Sequence, residues 1–207
     1  MSLTMRKMIR VEEILNTVQT LGFVSRSQLQ TIHNLKSDRN ALKVLGEMKE
    51  HLHVKPSPER SNENIYYLNK NGCEYVGQNQ ERRWGQSVEH YLMRNDLFIH
   101  YKQPNPFNIE PEILLREGMT QKIIKPDATF IRDDQYYFLE VDRTQKMNEN
   151  KKKLDNYAEL FPLIKSTLKQ TPILVFYTLS HIRKDKISAW CKEMNLPFEI
   201  ICREDLK

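Results

Sequence analysis

The sequence predicts an α+β chain in two parts: a small helical head closed by a β-hairpin, then an α/β domain on a mixed central sheet. Three observations predict it. Apolar positions recur at helical spacing up to about residue 50, two β-prone runs then flank a polar loop, and beyond residue 100 strand-like runs alternate with helical ones. A length of 207 residues allows one or two domains. The longest apolar run, Ile173 to Tyr177, suits a buried strand and is far too short for a bilayer-spanning helix.

The head comes first. Ile14, Leu15, Val18 and Leu21 lie on one helical face, and Gly22 ends the run. A second short helix starts at Ser25 or Ser27 and turns Leu29 and Ile32 inward. Ser37 reads as the N-cap of a third helix through about Glu50, with Leu42, Leu45 and Met48 facing the other two. His51 to Lys55, the loop PSPERSNEN and Ile65 to Leu68 then form a strand, a loop and a returning strand. Three helices and a hairpin make the pattern of a winged helix-turn-helix, expected over residues 1–80.

In that pattern the third helix would offer Arg39, Asn40 and Lys43 to the major groove. Arginine can read guanine and asparagine adenine, each with two hydrogen bonds. Lys55 and Arg60 on the wing would meet phosphates. The competing reading is a solvated helix face and loop, or a protein-interaction module. Eleven basic residues against eight acidic ones over 1–80, within a net charge of +5 for the chain, lean toward nucleic acid.

The polar stretch Gln78 to Arg83 marks the expected boundary, with the second domain over 81–207. Trp84 to His100 reads as an amphipathic helix interrupted only by Asn95. Ile109–Leu115, Lys125–Arg132 and Tyr136–Val141 read as strands, the last two joined by a tight turn at Asp133-Asp134-Gln135. A lysine-rich helix from Met147 to Leu168 follows, which Pro162 should kink or break. Ile173–Thr178 is a strand, Ile182–Met194 a helix and Phe198–Cys202 a last strand, an order that gives a meander followed by a crossover.

The chemistry concentrates in KPDATFIRDDQYYFLEVDRTQ. Asp127 opens one strand, and Glu140 and Asp142 stand two apart near the end of the next, on one face. Folding the strands about the turn sets Asp127 nearly opposite Glu140, so three carboxylates could meet at one sheet end. Such oxygen-rich clusters suit Mg²⁺ or Mn²⁺, which can activate water and stabilise charge on a phosphodiester.

Pro126-Asp127 followed by Glu140-x-Asp142 resembles the PD-(D/E)xK, restriction-endonuclease-like nucleases. The whole chain resembles the replication-relaxation family of plasmids and mobile elements, on Glu89-His90-x-Leu92 with Asn95-Asp96, Pro126-Asp127-Ala128-x-Phe130, Glu140-Val141-Asp142-Arg143-Thr144 and Lys153-Leu154-x-x-Tyr157. The resemblance implies a winged helix joined to a nuclease-like domain, and a role with plasmid DNA around replication or mobilisation. Implied partners are double-stranded DNA and a relaxase or replication initiator, with a homodimer as one arrangement.

The nuclease pattern usually sets a lysine two residues after the glutamate; here that position is Asp142, beside Arg143. Lys153 is the best substitute, ahead of Lys146. On that reading Asp127 and Glu140 would hold the metal, Asp142 would complete the cluster and Lys153 would assist the water, giving a nickase. The alternative is a degenerate nuclease fold, with Glu140, Asp142 and Arg143 in an internal salt-bridge network, serving a transcriptional regulator or adaptor. Glu89 is either an extra acid of the cluster or an exposed helix residue.

Other signals point away from chemistry. The six histidines show no metal-ligand spacing, and His51 and His53 read as wing-strand surface. Cys73, Cys191 and Cys202 are too few and scattered for a disulfide framework and read as buried thiols in a reducing cytoplasm. No glycine-rich phosphate loop is present, so no nucleotide or organic cofactor is expected. The start MSLTMRKMIR carries no export signal. The run Lys151 to Lys153 reads as a solvated face that would meet phosphate if the sheet end binds DNA.

Overall fold

The computed structural model describes residues 2–117 and 120–206. It is mixed α+β, and the chain divides into two compact units, Met1–Ile99 and His100–Lys207.

In the first unit, α1 (Leu3–Leu21) buries Ile14, Leu15, Val18 and Leu21, the stripe its spacing predicts. Gly22 ends it at a φ of +85°, where a side chain would be strained and a Cβ would press on Tyr91. β1 (Val24–Ser25) leads into α2 (Arg26–Ile32), whose start is closed by a reciprocal capping box of Ser25 and Gln28. Ser37 caps α3 (Asp38–Gly46), which stops short of Glu50. Ala41 and Leu45 face inward and Met48 is buried just beyond the helix, whereas Leu42, expected inside, is exposed. One helical residue turns the side chain by about 100°, enough to take position 42 off a stripe running 41, 45, 48.

β2 (Leu52–Ser57) and β3 (Glu63–Leu68) form the expected hairpin, and β1 joins to give the order β1-β3-β2. Pro56 is tolerated because β2 is an edge strand. A further helix, α4 (Lys70–Val76), was not legible in advance. Its Gly72 lies so close to the His51 carbonyl that a Cβ would stand 2.2 Å from the oxygen. α5 (Val88–His100) carries Val88 and Leu92 into a core with Phe23, Ile65 and Tyr67. With α5 packed here, the first compact unit runs to Ile99, beyond the polar stretch Gln78 to Arg83.

The second unit is a five-stranded mixed sheet with the order β10-β9-β8-β7-β4. Its strands are β4 (Phe107–Ile109), β7 (Ala128–Arg132), β8 (Gln135–Asp142), β9 (Ile173–Thr178) and β10 (Phe198–Cys202). β8, β9 and β10 run parallel, and β7 lies antiparallel to both β8 and β4. The strand expected over Ile109–Leu115 divides, because Glu110 at φ +47° and Pro111, which has no N–H, interrupt the ladder. Ile113–Glu117 (β5) pairs instead with Thr120–Ile124 (β6) as a separate ribbon. The turn between β7 and β8 is two residues, Asp133 and Asp134, both at positive φ as a type I′ hairpin requires.

α6 (Met147–Leu168) runs unbroken through Pro162. Leu154, Tyr157, Leu160 and Phe161 before the proline, and partly buried Ile164 after it, pack against a core with Phe138, Leu174 and Phe176, which compensates for the missing helix donor. α7 (His181–Glu193) adds Ile187 and Cys191 to the same core. All three cysteines are free and buried. No helix among the described residues is long and apolar enough to cross a membrane.

Candidate functional site

The site sits at the C-terminal end of β8. Alternate residues of a strand share a face, so Phe138, Glu140 and Asp142 follow one another along the side that carries α6. Phe138 meets the rings of Tyr157 and Phe161. Glu140, 2% exposed, receives two donors from the next turns of α6: Lys153 Nζ donates to Oε2 at 2.5 Å and Tyr157 Oη to Oε1 at 2.6 Å. Lys153 and Tyr157 stand four apart, hence on one helical face.

The ladder ends at Ala128↔Leu139, so its next step sets Asp127 opposite Glu140, as the turn arithmetic predicts. Asp127 is pinned from both ends. Its amide donates to the Leu139 carbonyl at 3.0 Å, and its Oδ2 accepts from the Val141 amide at 2.7 Å. Burial, and then the nearby Asp127 charge, push the Glu140 carboxyl up to about 7 against the opposing pull of Lys153. Glu140 and Asp127 hold the Lys153 ammonium above its ordinary value despite the cost of burial. Two carboxylates therefore share one ammonium, and the Lys153 side chain is 28% exposed, so the group opens to solvent on one side.

Asp142 goes elsewhere. Fully buried, it takes two hydrogen bonds from Arg183 on α7, Nε to Oδ2 at 2.6 Å and Nη2 to Oδ1 at 2.5 Å, and a third from Thr178 Oγ1 at 3.2 Å. Arg183 also donates to the Gln145 carbonyl at 2.6 Å, bracing the loop that leads to α6. The expected trio of carboxylates is thus divided between two cations. Among the described residues, no group of three or more His, Cys, Asp or Glu stands ready to hold a metal ion. Asp127 and Glu140 do present neighbouring carboxylate oxygens, the donor type Mg²⁺ takes when substrate phosphate supplies the rest.

Of the four residues expected to act, Asp127, Glu140 and Lys153 come together. Sequence reasoning named Tyr157 only within the Lys153-Leu154-x-x-Tyr157 motif, with no role, and missed Arg183. Tyr157 had a visible signal in its spacing from Lys153; Arg183 had none, being remote in sequence from Asp142.

In the first unit, Arg39 and Lys43 lie exposed on α3. Asn40 is not free to read a base, because its Nδ2 donates to the Leu35 carbonyl at 2.8 Å and helps start the helix. Arg60, expected at phosphate, is drawn inward: it donates to both oxygens of Glu89 at 3.2 Å and to Asp96 at 3.1 and 2.7 Å. Glu89 is buried rather than exposed. Gln28 also donates to Asp96, and Asn95 donates to the Phe23 carbonyl, so this stretch of α5 serves the packing of its own unit. Lys55 lies over the Trp84 ring, and His53 pairs with Glu81 at 2.7 Å.

Comparison with known proteins adds the following. No curated protein matches the chain. Among solved structures, protein VC1899 from Vibrio cholerae aligns with a TM-score of 0.43 and 12% identity, over 98% of this chain and 49% of that one. The chain thus spans about half the length of that protein. A family profile described as replication-relaxation matches residues 15–171, which takes in the head from Leu15 within α1 onward, α5, the Asp127–Glu140 hairpin and all of α6; the chain belongs to the replication-relaxation family.

Proposed function

We propose that this protein is a DNA-binding accessory factor of plasmid or mobile-element replication or mobilisation. In this reading Met1–Ile99 is a winged-helix module that meets duplex DNA through Arg39 and Lys43, and His100–Lys207 is a PD-(D/E)xK-like nicking domain. The observation that carries it is the meeting of Asp127, Glu140 and Lys153 at one sheet end, with the lysine supplied from α6.

A magnesium or manganese ion held by Asp127 and Glu140 would activate water and neutralise charge developing on the phosphodiester. Lys153 would orient the attacking water and lend positive charge to the phosphate oxygens. Tyr157 fixes the rotamer of Glu140. Asp142, bound to Arg183, positions the strand end and the loop before α6 and takes no part in the chemistry.

Supercoiled plasmid incubated with the protein and Mg²⁺ should become open circles, and Asp127→Ala or Lys153→Ala should abolish nicking. Asp142→Asn should slow nicking and lower stability together. Absence of nicking with Mg²⁺, Mn²⁺ and other divalent ions would remove the enzyme and leave a binder. That second reading, a transcriptional regulator or an adaptor for a relaxase or initiator, draws support from Glu140, whose two oxygens already have protein donors.

A further inference from the structure

The duplex-reading face of α3 is not the only cationic surface of the first unit. Across the hairpin, His53 and Tyr67 are direct cross-strand partners, and Lys55 lies two residues along β2. The segment Gln80–Trp84 lies over this face and leaves an open cavity of about 660 Å³, within the range of small-molecule sites. Its floor is aromatic: Trp84 packs on Tyr67 with ring centres 5.7 Å apart and edge-on to Phe23 at 5.9 Å. Its rim is basic, with Lys55, Arg82 and Arg83 against a single acid, Glu81, which His53 already engages. Trp84 is only half-buried, and Lys55 is held 5.4 Å from the centre of its ring.

An aromatic platform ringed by surplus cations is the chemistry that takes an unstacked base together with its phosphate. Intact duplex hides its base faces and cannot use such a platform. We infer that the cavity bounded by Lys55, Tyr67 and Arg82–Trp84 binds a nucleotide unit, its base against Trp84 and its phosphate on Lys55 and Arg83. The unit could come from single-stranded DNA or from a free mononucleotide. The inference stands apart from the duplex reading of α3.

The chain has two tryptophans, so Trp190→Phe in the full-length protein leaves Trp84 as the sole reporter. Titration with a ten-residue thymidine oligonucleotide should quench its fluorescence saturably. Affinity should fall roughly threefold between about 50 and about 200 mM salt for the one phosphate held. Lys55→Glu with Arg83→Glu, both at exposed positions, should weaken binding by roughly tenfold or more. Thymidine monophosphate that quenches as well as the oligonucleotide would assign the site to free nucleotide, and quenching by the oligonucleotide alone to single strands. Arg39→Glu with Lys43→Glu should abolish duplex binding and leave the quenching intact. No quenching by either ligand, or quenching that the Lys55 and Arg83 reversals leave unchanged, would overturn the inference.

Discussion

Two buried ionic groups, one in each unit, use nearly the same ingredients to different ends. In the first unit one guanidinium, Arg60, faces two carboxylates and donates to both, with Gln28 adding a further donor to Asp96. In the second unit one ammonium, Lys153, faces Asp127 and Glu140 but donates at hydrogen-bond distance to Glu140. A planar fork of five donors can serve two acids at once, whereas an ammonium is a compact point charge. The first arrangement is complete. The second leaves Glu140 raised to about 7, because burial and the neighbouring Asp127 charge outweigh the pull of Lys153. A perturbed carboxyl at an open-sided cluster is what supports the chemistry proposed for this site.

The comparison can be broken at several points. The largest expected effect is Arg60→Ala, which leaves Glu89 and Asp96 without their shared cation. Loss of one member of a buried pair costs about 3–5 kcal/mol, and partial exposure of Arg60 and Asp96 places this case near the lower figure. Urea denaturation measures it, and a loss under about 1 kcal/mol would show the group to be solvated in effect.

Tyr157→Phe comes next. Removing a donor to a buried carboxylate should cost about 2 kcal/mol, with nicking reduced because Glu140 loses its orientation.

The subtlest effect is a slope. Glu140 has its folded pKa raised from 4.5 to about 7, so its contribution is fully present below pH 4.5 and is lost as pH rises through about 7. With divalent ions chelated, stability measured at rising pH should therefore decline across that window, and Glu140→Gln should flatten the decline. A slope unchanged by Glu140→Gln would mean that Lys153 compensates Glu140 as fully as Arg60 does its acids, and the contrast would vanish.

Much of this was legible in the residues, and the failures have physical causes. The α1 stripe, the Ser37 cap, the hairpin and the order of strands and helices beyond residue 128 all follow local patterns that short-range sterics enforce, while the choice of Ser25 over Ser27 as the α2 cap came from the structure. Reading a tight turn at Asp133-Asp134-Gln135 set Asp127 nearly opposite Glu140; the turn is in fact Asp133-Asp134, and so short a loop leaves the register little freedom. Leu42 and the end of α3 were misread because neighbouring helical positions differ in rotation more than in composition. Arg60 was misassigned because a loop arginine flanked by polar residues looks solvated until the acids of α5 are placed beside it.

The sequence alone therefore determined most of the helices and strands, though not α4 or the β5–β6 ribbon, and set Asp127 near Glu140, since these depend on interactions between near neighbours in the chain. Tertiary structure decided which cation each acid receives. Asp142 found Arg183 and Glu140 found Lys153 and Tyr157 because the helices following β8 and β9 come to lie over the same end of the sheet. Alternation along a strand says only which way a side chain points; what it meets there is set by a part of the chain folded back from far away.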